Sequence, residues 1–230
     1  MTTTSHSVFD IIGPVMVGPS SSHTAGAARL AALARAIFGE QPARATIGLY
    51  GSFAATGAGH GTQVALIAGL LGLRCDDPRI PDAFELAAKA DLQFAFEEVH
   101  FDSSAHPNTV RFVLEQPATD KQMVIIGSSV GGGNVVVTRI NDYDVEATGD
   151  LPVIVVAHTD EPGVINAVSG VLAAAGINIA TMKVSRELRG ADALMVLECD
   201  ALPFDEIGAQ TIAFVEKVPQ VRKARIVPTV

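Results

Sequence analysis

The stretch Gly18–Gly26, reading GPSSSHTAG, concentrates hydroxyls and one imidazole immediately ahead of a helical run. Ser20, Ser21, Ser22, His23 and Thr24 precede or open the Ala/Leu/Arg-rich segment Thr24–Phe38, which reads as a helix stopped by Gly39. Free amides at a helix N-terminus attract anions, and hydroxyls add donors beside them. A histidine there can donate to a carboxylate or move a proton near neutral pH. Ordinary capping accounts for one serine, because Ser and Thr are preferred at the N-cap. Three serines and a histidine are more than a cap needs, so anion or substrate binding stands beside capping as a reading.

A second strand-to-helix loop, Gly51–Thr62, reads GSFAATGAGHGT. It lacks the Lys-Ser/Thr ending of a P-loop, and its glycine spacing fails the dinucleotide fingerprint. Its glycines allow close backbone approach, with a tight turn as the plain alternative, and they expose His60 beside Thr62. In His106-Pro-Asn108-Thr109, proline biases His106 to an extended conformation that presents the imidazole outward; a turn with a satisfied histidine is the simpler reading. Of the six histidines, His23, His60 and His106 all fall in loops at element ends, where chemistry concentrates. Three histidines can make a mononuclear zinc site. No pair has i, i+4 helical spacing, however, and the neighbours are hydroxyls and amides rather than carboxylates, so no metal ligands are assigned. The loop Ser128–Asn134, with its three glycines, reads as a hairpin turn. Near the C-terminal end, Asp160 can hold an ammonium group and the amides at Gly163 a carboxylate, which suits an amino acid. Turn and cap chemistry also explains Gly163. Asn178 is less easily explained, since Asn is disfavoured in strands.

The elements that must position these groups fall into two sets. Ahead of Asn141 the pattern mixes helices (Thr24–Phe38, Thr62–Leu71, Pro81–Lys89) with strands (Ala45–Tyr50, Gln93–Phe101, Thr109–Leu114) and a hairpin (Gln122–Ser128 with Val135–Ile140). An apolar segment, Ser7–Ile12, leads into the long loop Gly13–His23. The polar stretch Asn141–Asp150 reads as a break. Beyond it come a strand, Val153–His158, a helix, Gly163–Ala175, two strands, Ile177–Ser185 and Ala193–Cys199, a helix, Phe204–Val215, and a closing strand, Val221–Val227. That order is βαββαβ, the split-βαβ arrangement. The expected class is α+β in two domains, 1–148 with a mixed or antiparallel sheet and helices, and 149–230 with a ferredoxin-like βαββαβ module.

Composition narrows the function. Lys and Arg number 16 against 25 Asp and Glu, a net charge of −9, the wrong sign for a nucleic-acid partner. The chain has two cysteines, Cys75 and Cys199, too few for an all-cysteine iron–sulfur cluster or zinc site. The start has neither the basic nor the apolar region of a secretory signal. The longest apolar runs, such as Val64–Leu73, fall well short of the roughly 20 residues of a bilayer span. The expectation is a cytoplasmic protein with no membrane partner, whose apolar surplus suits self-association as at least a homodimer.

Together these motifs resemble a known family. SVFDIIGPVMVGPSSSHTAG (Ser7–Gly26), GSFAATGAGHGT, HPNT (His106–Thr109) and SVGGGN (Ser129–Asn134) stand in the order found in the iron–sulfur-dependent L-serine dehydratases, and the chain is most similar to the β subunit of the two-subunit enzymes. The C-terminal part resembles an ACT domain, a module that often binds amino acids. The resemblance implies an α subunit that carries a [4Fe–4S] cluster on its own cysteines, with no cofactor on this chain alone. It implies β-elimination of L-serine to pyruvate and ammonia. It also implies that His23, His60 and His106 serve catalysis, that Ser20, Ser21, Ser22, Thr24, Thr62 and Asn108 hold the substrate, and that Asp160, Gly163 and Asn178 hold an amino-acid effector such as L-serine. Where the family usually has Lys and Asp flanking its Gly-His-Gly-Thr, this chain has Ala58 and Gln63. The N-terminal part also resembles the allosteric domain of some D-3-phosphoglycerate dehydrogenases, which implies a purely regulatory alternative.

Overall fold

The computed structural model describes residues 14–57, 59–202 and 206–230. The apolar segment Ser7–Ile12, the substituted position Ala58 and the expected helix start at Phe204 lie outside these residues. The chain divides into two compact units, Met1–Val137 and Thr138–Val230. Each has its own sheet and helices, an α+β fold in two domains.

The first unit is built around helix α1 (Gly26–Phe38). Its alanines and leucines bury nearly every face, with Ala27, Ala28, Leu30, Ala31, Leu33 and Ala34 all essentially inaccessible. It stops at Gly39, whose left-handed backbone (φ 86°) returns its N–H to the Arg35 carbonyl, as glycine at C′ commonly does. Strand β1 (Arg44–Leu49) follows, then a short helix α2 (Ser52–Thr56), helix α3 (Thr62–Leu70), helix α4 (Ala83–Lys89) and strand β2 (Gln93–Glu98). Helix α3 is apolar all round and correspondingly buried. It packs on α1 at very short range: a methyl added at Gly69 would lie 2.1 Å from the Ala28 carbonyl oxygen. Strands β3 (Thr109–Gln116), β4 (Lys121–Gly131) and β5 (Asn134–Ile140) complete this part.

Strand β1 pairs parallel with β2 and antiparallel with β3, and β3 pairs antiparallel with β4. The register sets Leu49 opposite Val110, and Thr109 opposite Ser128. The C-terminal end of β1, the N-terminal end of β3 and the later part of β4 therefore share one edge of the sheet. The connections 50–61, 99–108 and 132–133 start or finish there. Helix α1 is seated by Leu30 against Gly127 of β4, where no side chain intervenes.

The division between the compact units falls inside β5, and the boundary expected at 148/149 lies between the next two strands. The stretch Asn141–Asp150, expected as a polar break, contains strand β6 (Tyr143–Ala147). Its alternation explains the difference: Val145 and Ala147 are buried while Asp144 and Glu146 are exposed, a period of two that strand geometry rewards.

In the second unit, β7 (Val153–Thr159), α5 (Val164–Ala174), β8 (Ile179–Arg186), β9 (Asp192–Cys199), α6 (Glu206–Val215) and β10 (Val221–Val227) form the expected βαββαβ module. Its antiparallel sheet runs β10-β7-β9-β8. Ile154, Val156, Val164, Val168, Leu172, Met195, Leu197 and Val215 make its core. Strand β6 is tied to this sheet by Lys183 donating to the Val145 carbonyl at 3.3 Å and by Ser185 donating to the Asp144 carbonyl. The buried Glu198 carboxylate accepts from the Thr148 amide (2.8 Å), the Thr148 hydroxyl (2.9 Å) and the Thr181 hydroxyl (3.1 Å). A buried carboxylate needs such donors, and these fix the segment between β6 and β7 against β8 and β9.

Candidate functional site

The helix expected from Thr24 begins earlier, as a wide turn of π type, Ser21–Ala25, that runs into α1. Ser20 caps it: the Ser20 hydroxyl accepts the His23 amide at 3.1 Å, and its carbonyl accepts the Thr24 and Ala25 amides. Capping therefore uses one serine, as the composition of the loop implied. The extra residue of the wide turn re-aims the side chains between Ser20 and α1. Ser22 Oγ lies 3.2 Å from His23 Nδ1 and 3.5 Å from Ser20 Oγ.

The loop 51–61, expected to be irregular, holds helix α2, and its hydroxyls complete the cluster. His23 Nε2 lies 3.0 Å from Ser52 Oγ and 3.2 Å from Thr56 Oγ1. Thr56 donates back to the Ser52 carbonyl at 2.8 Å, the i to i−4 bond that threonine makes within a helix. Phe53 presents its ring to His23 edge-to-face at 5.1 Å between centroids. Thr24 donates to the His60 carbonyl at 2.9 Å, locking the first loop to the second. The exposed His60 ring is 5.1 Å from that of His23, and its Nδ1 lies 3.0 Å from the Thr56 carbonyl.

Burial and the neighbouring His60 lower the His23 pKa, and a hydrogen bond with the Ser52 backbone opposes them more weakly. Both effects favour the neutral imidazole, the state with one basic nitrogen.

Thr62 is fully buried at the start of α3, and its hydroxyl makes no hydrogen bond among the described residues. Pro107 anchors the third loop to the second by accepting the Ser52 amide at 2.8 Å. His106 is exposed and accepts the Asn108 amide on Nδ1 at 3.2 Å. It makes no hydrogen bond to His23 or His60 among the described residues. Asn108 is buried and donates to the Ser129 carbonyl at 3.5 Å, while the Ser129 amide donates to the Asn108 carbonyl at 3.0 Å. The Asn108 side-chain oxygen and the Ser129 hydroxyl are buried without a hydrogen bond among the described residues. Ser129 in turn abuts α1: a methyl on Gly26 would fall 2.1 Å from Ser129 Oγ.

Ser20, Ser22, His23, Thr24 and His60 thus form one hydroxyl–imidazole cluster, and Ser21 lies in the same turn with its carbonyl accepting the Gly26 amide. His106 and Asn108 belong to the adjoining Ser129 corner. Sequence reasoning missed Ser52, Thr56, Phe53 and Ser129. The i, i+4 spacing of Ser52 and Thr56 was the available signal, hidden because the loop was not read as helical.

In the second unit, Asp160 accepts from Arg186 at 2.7 Å and from the Gly190 amide at 3.2 Å. The Arg186 hydrogen bond holds its carboxyl below the usual range. Gly163, with φ 96°, caps the start of α5, and Asn178 donates to Asp200 at 2.6 Å. No hydrogen bond joins these three residues to one another among the described residues.

Cys75 of the first unit is partly exposed and reaches the Val15 carbonyl at 3.6 Å. Cys199 belongs to the core of the second unit, and burial pushes its thiol up to about 11. A thiolate is the ligating form. No group of three or more His, Cys, Asp or Glu among the described residues could hold a metal ion.

Residues 7–140 match the serine dehydratase beta chain family, and residues 153–211 match the ACT domain. The chain is 45% identical over 196 residues to a probable L-serine dehydratase beta chain of Bacillus subtilis, covering 84% of this chain and 87% of that one. This chain belongs to the serine dehydratase beta chain family. It is also 40% identical to the L-serine dehydratase beta chain of Peptoniphilus asaccharolyticus, over 80% of this chain and 82% of that one. A D-3-phosphoglycerate dehydrogenase of Methanocaldococcus jannaschii is 25% identical over 52% of this chain and 22% of its own length. The family match spans the whole hydroxyl–imidazole cluster, and the ACT match spans Asp160, Gly163 and Asn178. No helix among the described residues is long and apolar enough to cross a membrane.

Proposed function

We propose that this chain is the β subunit of a two-subunit L-serine dehydratase, which converts L-serine to pyruvate and ammonia by β-elimination. The observation that carries the reading is the cluster at the sheet edge, where the His23 ring is held among Ser22, Ser52 and Thr56 within a family-matched segment. A substrate carboxylate opposes removal of the neighbouring α-proton unless its charge is neutralised. The hydroxyls of Ser20, Ser21 and Ser22 supply donors for it, beside the buried Thr24. His23 supplies a base within reach of the same turn. His60 is the second imidazole of the cluster, and Thr62, His106 and Asn108 line its neighbouring loops.

In this reading the [4Fe–4S] cluster is carried by the α subunit, whose face closes the cleft. The division of labour falls at 148/149. Residues 1–148 serve the substrate, and the ACT domain at 149–230 binds L-serine or a similar amino acid around Asp160, Gly163 and Asn178. The complex works in the cytoplasm, and the chain self-associates. The test is turnover by the co-expressed complex. His23→Ala, assembled with unaltered α subunit, is expected to lose about 100-fold or more in kcat/KM. Full retention of kcat/KM would remove His23 from the chemistry.

A further inference from the structure

Strand β2 is an outer strand of its sheet, with β1 on one side only. Gln93 donates its amide to the Ala43 carbonyl at 2.9 Å, and Val99 donates to the Leu49 carbonyl at 3.0 Å. Backbone groups alternate in direction along a strand. The odd-numbered residues of β2 therefore face β1, and the N–H and C=O groups of Phe94 and Phe96 point off the sheet. The side chains follow the same parity. Phe94 lies beside Ala45 and Phe96 beside Ile47, both buried, so the two rings carry the core face of the sheet out to its edge. There they are only half-buried. The exposed Phe84 of α4 lies 5.2 Å from the Phe94 ring, and Phe96 lies 5.8 Å from it. An edge strand that stays free is commonly blunted by Lys, Pro or a bulge. Strand β2 has no Lys or Pro, and its register with β1 runs unbroken from Gln93 to Glu98. The Glu97 carboxylate is held by Arg111 at 3.0 Å.

We propose that two copies of this chain join edge to edge along β2, antiparallel, about a two-fold axis at Ala95. A two-fold contact must match itself, and this register does. It sets Phe94 opposite the partner's Phe96, so that each exchanges both backbone hydrogen bonds with the other and their rings form a cross-strand aromatic pair. On the other face the exposed Ala95 meets the partner's Ala95, which is small enough for the strands to close. Glu97 meets the partner's Gln93, an amide donor for a carboxylate, so like charges do not stand opposed. The neighbouring registers are worse. A shift by two residues one way pairs Phe96 with the partner's Leu92, and the Leu92 amide is already given to the Ala87 carbonyl. A shift the other way sets Phe94 opposite the partner's Glu98. The favoured register makes one continuous sheet and covers Phe84, Phe94 and Phe96 of both copies. It gives the proposed self-association its surface and rests on that reading alone, with no dependence on serine turnover.

The test is sedimentation velocity on the full chain together with cysteine cross-linking. Wild type is expected at twice the 23.9 kDa of one chain. Ala95→Glu changes an exposed residue and sets two carboxylates face to face. It is expected to keep the wild-type circular dichroism and to raise the dimer dissociation constant roughly 100-fold or more. Ala95→Cys, in a Cys75→Ser background, is expected to give a disulfide-linked dimer on mild oxidation. A non-hydrogen-bonded antiparallel pair brings its Cα atoms to about 4.5 Å, within reach of a disulfide. Gln93→Cys in the same background stands opposite Glu97 rather than itself and is expected to stay unlinked. A monomeric wild type would overturn both the self-association and this surface. A dimer that survives Ala95→Glu, or that Ala95→Cys fails to link, would keep the self-association and overturn the surface. A monomer that binds α subunit and loses that binding in Ala95→Glu would give the edge to the α subunit and overturn the proposal.

Discussion

At the residue scale the candidate site centres on His23. Its ring is partly buried, backed by Phe53 and faced by His60 as its titratable neighbour. Desolvation, then repulsion from His60, lowers its pKa below 6.5. The folded chain thus holds the proton less tightly than the unfolded chain. This contribution to stability is fully present above the unfolded value near 6.5 and is lost as pH falls through the lower folded value. Thermal unfolding of wild type should therefore move to lower temperature between pH 7 and pH 5. His23→Gln, which cannot charge, should show a shallower decline over the same window. Equal slopes in wild type and variant would deny that His23 contributes. The chemical promise of Ser20, Ser22 and His23 was legible in their types and spacing. Their partners Ser52 and Thr56 were not, because their meeting with His23 depends on a helical turn inside a loop whose glycines read as irregular.

At the element scale the cluster exists because loops from separate strands arrive at one sheet edge. The register of β1, β3 and β4 brings Tyr50, Thr109 and Ser128 to the same level, with Thr109 Oγ1 2.7 Å from Ser128 Oγ. The start of α1 is pressed against this corner at Gly26, with no room for a side chain beside Ser129. Gly26→Ala should therefore displace the wide turn or Ser129. The expected cost is about 1–3 kcal/mol, as for overpacking elsewhere, read as a lower midpoint in urea. Serine turnover in the complex should fall further than the remaining folded fraction explains. An unchanged midpoint would show that the corner yields easily. Element types and order were largely legible, since the apolar periods of α1, α3 and the βαββαβ module are strong. Strand β6 was not. Its acidic residues read as a break, whereas only Val145 and Ala147 had to face inward. The clasp of Glu198 on Thr148 and Thr181 joins residues distant in sequence, and no local pattern announces it.

At the scale of the whole molecule, the chain pairs a candidate chemical site in one compact unit with an ACT-family module in the other. The proposed effector site must reckon with Arg186, which already holds Asp160. An incoming ammonium group would share or replace that partner. Millimolar L-serine is expected to raise the melting temperature of the full chain, and Asp160→Ala to reduce that shift. The absence of any shift in wild type would argue against the site. The most direct measurement is pyruvate formation from L-serine, assayed without oxygen, by this chain alone and on titration into purified α subunit. No pyruvate is expected from this chain alone, and the rate is expected to rise with added chain to saturation at one β per α. Turnover by this chain without the α subunit, or a stable complex that makes no pyruvate, would contradict it.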